Sequence, residues 1–428
     1  MRRYAILAAA ALAQAEDWPK WRGPRGDGIS MEKGLAQEWP KEGPKKLWSK
    51  SVGKGWNSPV AVEGILYAFG RTQKAAVQSG PASADAAEQA PAKGPFGTLT
   101  ALRADTGEII WQNSYTSIPR VEKPSMRATP TVEKDRIYTF DDDGELVAWN
   151  RGDGKIAWQL NVLQELGAKP IKWGCASSPA VEDGKIYVQG GLTGSLVIAV
   201  DKNTGKVAWK SQAEGPSGYA TIVPITVEGR KQLLVAGGDH VVAMDRATGK
   251  TAWSVPYETE YKINAATPVV RDGKALLINE YKIGKCIMLQ LHADRADTVW
   301  EDKDLRSRIS TPILEGDVFY VSNNGPGQSG SGIIECRTWA DGKLVWSCQD
   351  KSLDLGMGGT MLRAGELMIT LSQKGMLSLA KVTPEGCQRL SQVAVLNEPE
   401  VWSTPVIHNG RLYIRGFEEM ICLDIAAK

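Results

Sequence analysis

Histidine is scarce in this chain: 428 residues include three, His240, His292 and His408. They fall in separate segments, and so few argue against a histidine-based metal cluster or a serine–histidine–aspartate relay. The six cysteines are never adjacent and never form Cys-x-x-Cys, which argues against a metal or redox motif and leaves buried thiols or structural bridges. Spacing does not choose among the pairings; Cys336 and Cys348 flank one expected hairpin and are the favoured pair. No stretch approaches the ~20 apolar residues that a spanning helix needs. Neither sign of charge prevails, with 51 basic against 49 acidic residues. This balance argues against nucleic acid or an anionic membrane surface as the main partner.

What the chain has is glycine, 45 residues, together with 22 prolines and 42% hydrophobic residues, a turn-rich globular composition. These are organised by an eleven-residue pattern, Ala-x-Asp-x-x-Thr-Gly-x-x-x-Trp. It is cleanest at 199–209 and 243–253, and it recurs with closing positions Trp111, Trp158, Trp300, Trp346 and Leu390. The closing positions lie 44 to 51 residues apart, a period that indicates a propeller or solenoid.

Each repeat also has a regular first half. A Ser/Thr-Pro step opens an apolar strand, a tight turn follows, and a second strand ends in aromatic or aliphatic residues, as in 58–67. Equivalent openings stand at Pro130, Pro179, Pro224, Pro268, Pro312 and Pro405, with Met361 in place of proline in one unit. Eight units of strand, turn, strand, loop, strand, turn, strand predict a single all-β domain, an eight-bladed β-propeller of four-stranded antiparallel blades. The eighth unit runs out of chain inside its last hairpin. The segment 45–50, with Trp48 at the closing position, supplies the missing strand, so the N-terminal strand completes the last blade and leaves no open edge.

Outside the array, residues 1–15 read as a secretory signal peptide, with Arg2 and Arg3, a short apolar run and the small-x-small site Ala13-Gln14-Ala15. The expected product is an exported, soluble protein, periplasmic or extracellular, beginning near Glu16. Residues 16–44 carry Trp18, Trp21 and Trp39 without strand periodicity and read as an extended arm packed on the propeller, which occupies 45–428. The Ala/Gln/Ser/Gly/Pro-rich stretch 71–95 reads as a flexible insert.

Up-and-down blades sort their connections onto two faces. The first-to-second and third-to-fourth turns share one, the turn face, and hardly vary. The second-to-third loops and the links between blades share the other, the loop face, which carries nearly all the length changes. Function concentrates on such loops. Residues just ahead of each Ser/Thr-Pro step are expected around the channel mouth there: Trp56, Asn57, Arg127 and Trp173, then Tyr219, Asn264, Arg308 and Trp402. Aromatic planes with two guanidiniums suit a flat anionic ligand by stacking and bidentate hydrogen bonds. The run Asp141-Asp142-Asp143-Gly144 lacks the spaced ligands of an EF-type calcium loop and reads as a solvated hairpin turn.

The repeats over roughly 45–428 resemble the tryptophan-docking repeats of the pyrroloquinoline quinone (PQQ) propeller superfamily. The arm segment from Trp18 to Pro24 is similar to the start of many secreted proteins with such repeats. The resemblance implies one of two activities: oxidation of an alcohol or sugar with Ca²⁺-bound PQQ, or partner binding without cofactor in the manner of BamB-like scaffolds. The adjacent-cysteine clamp of many dehydrogenases is absent, and so is a lipid-attachment cysteine in the export signal. No catalytic or calcium-binding residue carries over. The expectation is an exported, monomeric binding or scaffolding module that takes a protein partner or small ligand on its loop face, with no metal and no resident cofactor. The alternative is a PQQ- and Ca²⁺-dependent oxidoreductase.

Overall fold

The structure is a computed structural model that describes residues 16–75, 93–117, 126–281, 283–326, 330–398 and 400–427. The expected signal peptide and the centre of the insert, 76–92, lie outside the described residues. Within them stand eight sheets of four antiparallel strands, each sheet built from strands consecutive in sequence except the last. Blades one to seven open with the inner strands Val60–Val62, Thr131–Glu133, Ala180–Glu182, Val223–Val227, Val269–Arg271, Ile313–Glu315 and Thr360–Ala364. Blade eight opens with Val406–His408, and its outer strand is the N-terminal Lys45–Ser51, antiparallel to Glu419–Asp424 with Trp48 opposite Cys422.

The turns explain the repeat's punctuation. Glu63 and Gly64 have φ of 51° and 74°, and Asn409 and Gly410 have 55° and 67°, the doubly left-handed backbone of two-residue hairpins whose twist matches the flanking strands. The motif glycine has a second duty. A Cβ on Gly249 would lie 2.4 Å from the Trp209 ring, because the closing tryptophan of blade three packs onto the glycine turn of blade four. Trp48 on Gly107, Trp111 on Gly154 and Trp158 on Gly205 repeat the contact, and their indole N–H groups donate to the carbonyls of Ala104, Arg151 and Lys202. The motif is therefore a docking device between blades, and Trp48 uses it to close the ring from blade eight to blade one. Apolar cores fill the same seams, as where Tyr67 and Trp111 of blade one meet Ile137 and Trp149 of blade two.

One seam lacks the closing ring. Blade seven ends its motif in Leu390, and its Gly386 lies in a strand without positive φ. The arm takes over here. Trp39 is buried and exchanges hydrogen bonds with Ser391, its N–H donating at 2.7 Å, while Leu35 bridges Ala426 of blade eight. Arg415, fully buried, binds the carbonyls of Phe69 and Gly53 and the side chain of Asn57, tying blade eight to blade one. Burial lowers its pKa to about 9.

The arm does more than pack. Trp18 pairs with Ala61 on the open edge of an inner strand, and the Pro19 carbonyl accepts from Val132 N. Trp21 then reaches across the channel to Thr267 Oγ1 at 3.0 Å. Arg22, buried, donates to the carbonyls of Thr311, Pro312, Gly26 and Asp27. Ile29–Ser30 adds a fifth, parallel strand to blade seven at Arg363–Ala364, a strand that a two-residue segment gives no periodicity to reveal. Glu32 accepts from the N–H groups of Asn409 and Gly410 at the turn face.

Two further expectations change, and one link between blades gains a helix. Strands Ile65–Lys74 and Lys93–Arg103 continue the ladder into the stretch read as a flexible insert, since paired backbone extends wherever a partner edge is available. The connection after blade two holds a short helix, Val162–Leu166, capped by Asn161 and ended by Gly167 at φ 60°. Cys336 is not beside Cys348. It faces Trp346 across the blade-six hairpin, and the sulfur nearest Cys348 is that of Cys387 in blade seven, at 2.9 Å.

Candidate functional site

The channel is open at the loop face and blocked from below. A cavity of about 550 Å³ lies at its mouth, with Trp21 of the arm among its lining residues. Six of the eight residues expected around the mouth line it: Trp56, Arg127, Trp173, Tyr219, Arg308 and Trp402. They come from the links between blades, and the short inner strands hold those links around the axis.

Asn57 and Asn264 do not line it. Both are buried in the seams: Asn57 donates to Ala128 O and accepts from Arg415, and Asn264 bonds the carbonyls of Gly237 and Tyr257. A short amide in front of the Ser/Thr-Pro step satisfies backbone between blades, whereas a long aromatic or basic residue there reaches the cavity.

The walls are aromatic and the cations lie against them. Trp56 and Trp402 are 4.4 Å apart, Trp173 and Tyr219 6.3 Å, and Tyr261 and Tyr281 meet edge to face at 5.6 Å. Arg127 sits 5.0 Å over the Trp56 ring, Lys172 4.8 Å over Trp173, and Arg308 4.9 Å over Tyr281. Such cation–ring contacts orient the charge as well as holding it. Arg127 donates to Trp173 O at 2.5 Å, and burial lowers its pKa. Arg308 makes a bidentate pair with the buried Glu280, at 2.7 and 3.2 Å. Burial pushes the Tyr219 phenol up to about 12, so it remains a neutral hydroxyl.

Arg127 and Lys172 stand against one lining carboxylate, Glu400, while the third cation, Arg308, is balanced by Glu280, which leaves a small excess of positive charge. Its described lining contains neither histidine nor cysteine. The arrangement can stack planar or apolar groups and hold negative charge. Lys172, Tyr261, Tyr281, Glu400 and Trp21 were not expected at the mouth. Lys172 adjoins Trp173 and was within reach of the same reasoning. Tyr261 and Tyr281 lie on loops of unrepeated length, and Trp21 belongs to the arm, so the repeat gave no register for any of the three.

A second polar cluster stands apart. Asp141, Asp142 and Asp143 are buried, not solvated. Arg71, from the extended strand of blade one, binds Asp142 and Asp143, and Tyr115 donates to Asp141 at 2.8 Å. Burial, then the neighbouring carboxylates, raise Asp141 to about 7. The carboxylates come within metal-ligand distance of one another, but a guanidinium occupies their centre of charge.

Comparison with known proteins follows this geometry. A family model described as outer membrane protein assembly factor BamB matches residues 95–348, more than half of the chain. The protein of that name from Salmonella typhimurium is 25% identical over 382 residues, covering 72% of this chain and 87% of that protein. The one from Moranella endobia is 28% identical over 123 residues, which span 28% of its length. Among solved structures, BamB from Moraxella catarrhalis aligns with a TM-score of 0.61 at 15% identity, covering 89% of this chain and 99% of that one. The quinohemoprotein alcohol dehydrogenase from Comamonas testosteroni aligns at 0.65 and 14% identity, covering 98% and 82%. At such identities these structures share the fold.

Proposed function

This chain belongs to the family described as outer membrane protein assembly factor BamB, and from that premise we propose that it is an exported scaffold that holds a protein partner on its loop face. The observation that carries the reading is the joint placement of the aromatic, basic cavity and exposed apolar side chains on that one face. Leu192, Tyr261, Ile283 and Ile333 are all exposed on loop-face segments of blades three to six. Isolated exposed apolar residues are ordinary, but four on the face that holds the cavity, with Tyr261 in its lining, supply the apolar surface and the anchoring pocket that interfaces use. An acidic or aromatic side chain of the partner enters the cavity, and the rim residues cover the surface around it.

The test is capture with the full chain as bait against exported proteins of its own source. Leu192→Asp with Ile283→Asp should reduce recovery of the partner at least about tenfold, the effect of losing roughly 1.4 kcal/mol. Equal recovery by the variant would remove the loop face from the reading.

The closely packed, tilted Trp56–Trp402 pair gives the oxidoreductase alternative one supporting observation, aromatic faces against which a planar quinone would lie. The donor set for its cation does not fit. Calcium takes about six to eight oxygen ligands. Among the described residues the cavity offers one carboxylate, Glu400, while Glu280 is committed to Arg308. Calorimetric titration of PQQ with Ca²⁺ should therefore give no stoichiometric binding. Stoichiometric binding that Trp56→Ala, Trp173→Ala or Trp402→Ala abolishes would replace the scaffold reading.

A further inference from the structure

Four of the six cysteines sit as isolated, buried thiols. Burial raises Cys175 and Cys286 well above the ordinary thiol range, Cys336 to about 11 and Cys422 to about 12, which leaves them unreactive. The other two meet. Cys348 follows the outer strand of blade six, Leu344–Ser347, and Cys387 lies in the outer strand of blade seven, Gly386–Ala394. Their sulfurs are 2.9 Å apart across the seam, well inside the contact distance of two unbonded sulfurs, so only a small sideways movement separates them from a covalent bond.

The seam around them is pinned on both sides. Trp346 donates its indole N–H to Thr383 O at 3.0 Å, Arg389 pairs with Asp350 at 2.8 Å, and Gln392 donates to Ser352 O. Cys348 belongs to the apolar cluster beneath, and Cys387 is partly exposed above it. One sulfur is thus held from below while the other is open to a reagent.

From this geometry we propose that Cys348 and Cys387 are a built disulfide site, a covalent clasp between blades six and seven that closes when the chain meets an oxidising compartment. The oxidant is of the disulfide class. The Cys387 sulfur attacks one sulfur of a small disulfide, forming a mixed disulfide and releasing one thiolate. The Cys348 thiolate then attacks Cys387 Sγ, forming the protein bond and expelling the second. The two protein thiols lose two protons and two electrons, and the small disulfide becomes two thiols.

The pair also accounts for cysteines that the hairpin spacing in blade six had suggested otherwise. Cys336 faces Trp346 from the neighbouring strand and has no sulfur partner, so the clasp links blades and does not brace a hairpin.

The test uses the full chain incubated with glutathione disulfide and then denatured and alkylated without reductant. Four of the six cysteines should be blocked, rising to six after reduction, and peptide mapping should join Cys348 to Cys387. Cys387→Ser should show no internal bridge and instead up to one glutathione adduct. Alkylation of all six cysteines in the oxidised wild type, or a bridge that contains Cys336, would overturn the proposal. These readouts need the wild-type protein alone, so a poorly folding variant does not blur them.

Discussion

The two ends of the channel are built on opposite terms. At the turn end the polar groups of the arm bind the protein itself: Asp17 accepts from Glu63 N and Glu32 from the Asn409-Gly410 turn, while further along the arm Arg22 fills four backbone carbonyls. At the loop end, aromatic rings and oriented cations surround a cavity of about 550 Å³, with Leu192, Tyr261, Ile283 and Ile333 exposed on the same face. One end uses its side chains to hold the ring shut. The other leaves them facing an open cavity. The difference teaches that stability and recognition are separable here, and substitutions should show it.

The largest loss should come from Trp48→Ala, which removes a buried ring and the docking contact that closes blade eight on blade one. About 3–5 kcal/mol is expected in urea unfolding, whereas Trp173→Ala at the loop end should stay within about 0.5 kcal/mol. Equal costs would erase the comparison. Next is Arg22→Met, which leaves the carbonyls of Thr311 and Pro312 without their donor. A buried polar group left unpaired costs about 1–3 kcal/mol. Limited proteolysis should then cut the arm before the blades, and an arm as resistant as in the wild type would contradict its anchoring through Arg22.

A smaller effect is set by pH. Asp141 is raised from 3.8 to about 7, so the folded chain favours the protonated acid. The stability this contributes is complete below 3.8 and fades as pH rises through about 7. Asp141→Asn keeps a neutral group, so its stability should fall less across that window, by up to about 1 kcal/mol per pH unit. Parallel curves for the two proteins in thermal melts from pH 4 to 7 would show that this carboxyl does not titrate there. The smallest change in stability belongs to Lys172→Ala at the cavity, at most about 0.5 kcal/mol. Its effect should appear in partner capture, and a melting shift without a capture defect would place Lys172 with the structural residues.

The fold was legible because a repeated docking device writes its own period. Trp209 needs Gly249, Trp158 needs Gly205, and the pairing spaces both down the chain. The closing strand was readable for the same reason, through Trp48. What the repeat does not touch was harder to read. Ile29–Ser30 joins blade seven with two residues, and Trp39 replaces the missing docking ring at Leu390, neither of which has a counterpart in another unit. The mouth was legible where register reaches it: six of eight expected residues line the cavity. Asn57 and Asn264 share that register, but their short side chains turn to backbone. Asp141 to Asp143 look solvent-bound in sequence and are buried because Arg71 arrives from another blade.

The claim that recognition lives on the loop face is tested most directly by photocrosslinking. A photoreactive amino acid at Tyr261 or Leu192 is compared with one at the exposed turn-face positions Asn203 and Ala247, each in the full chain expressed in its own cells. The account predicts a discrete covalent adduct from the loop-face sites and none from the turn-face sites. Adducts from Asn203 and Ala247 alone would show that the partner binds the end that the arm closes.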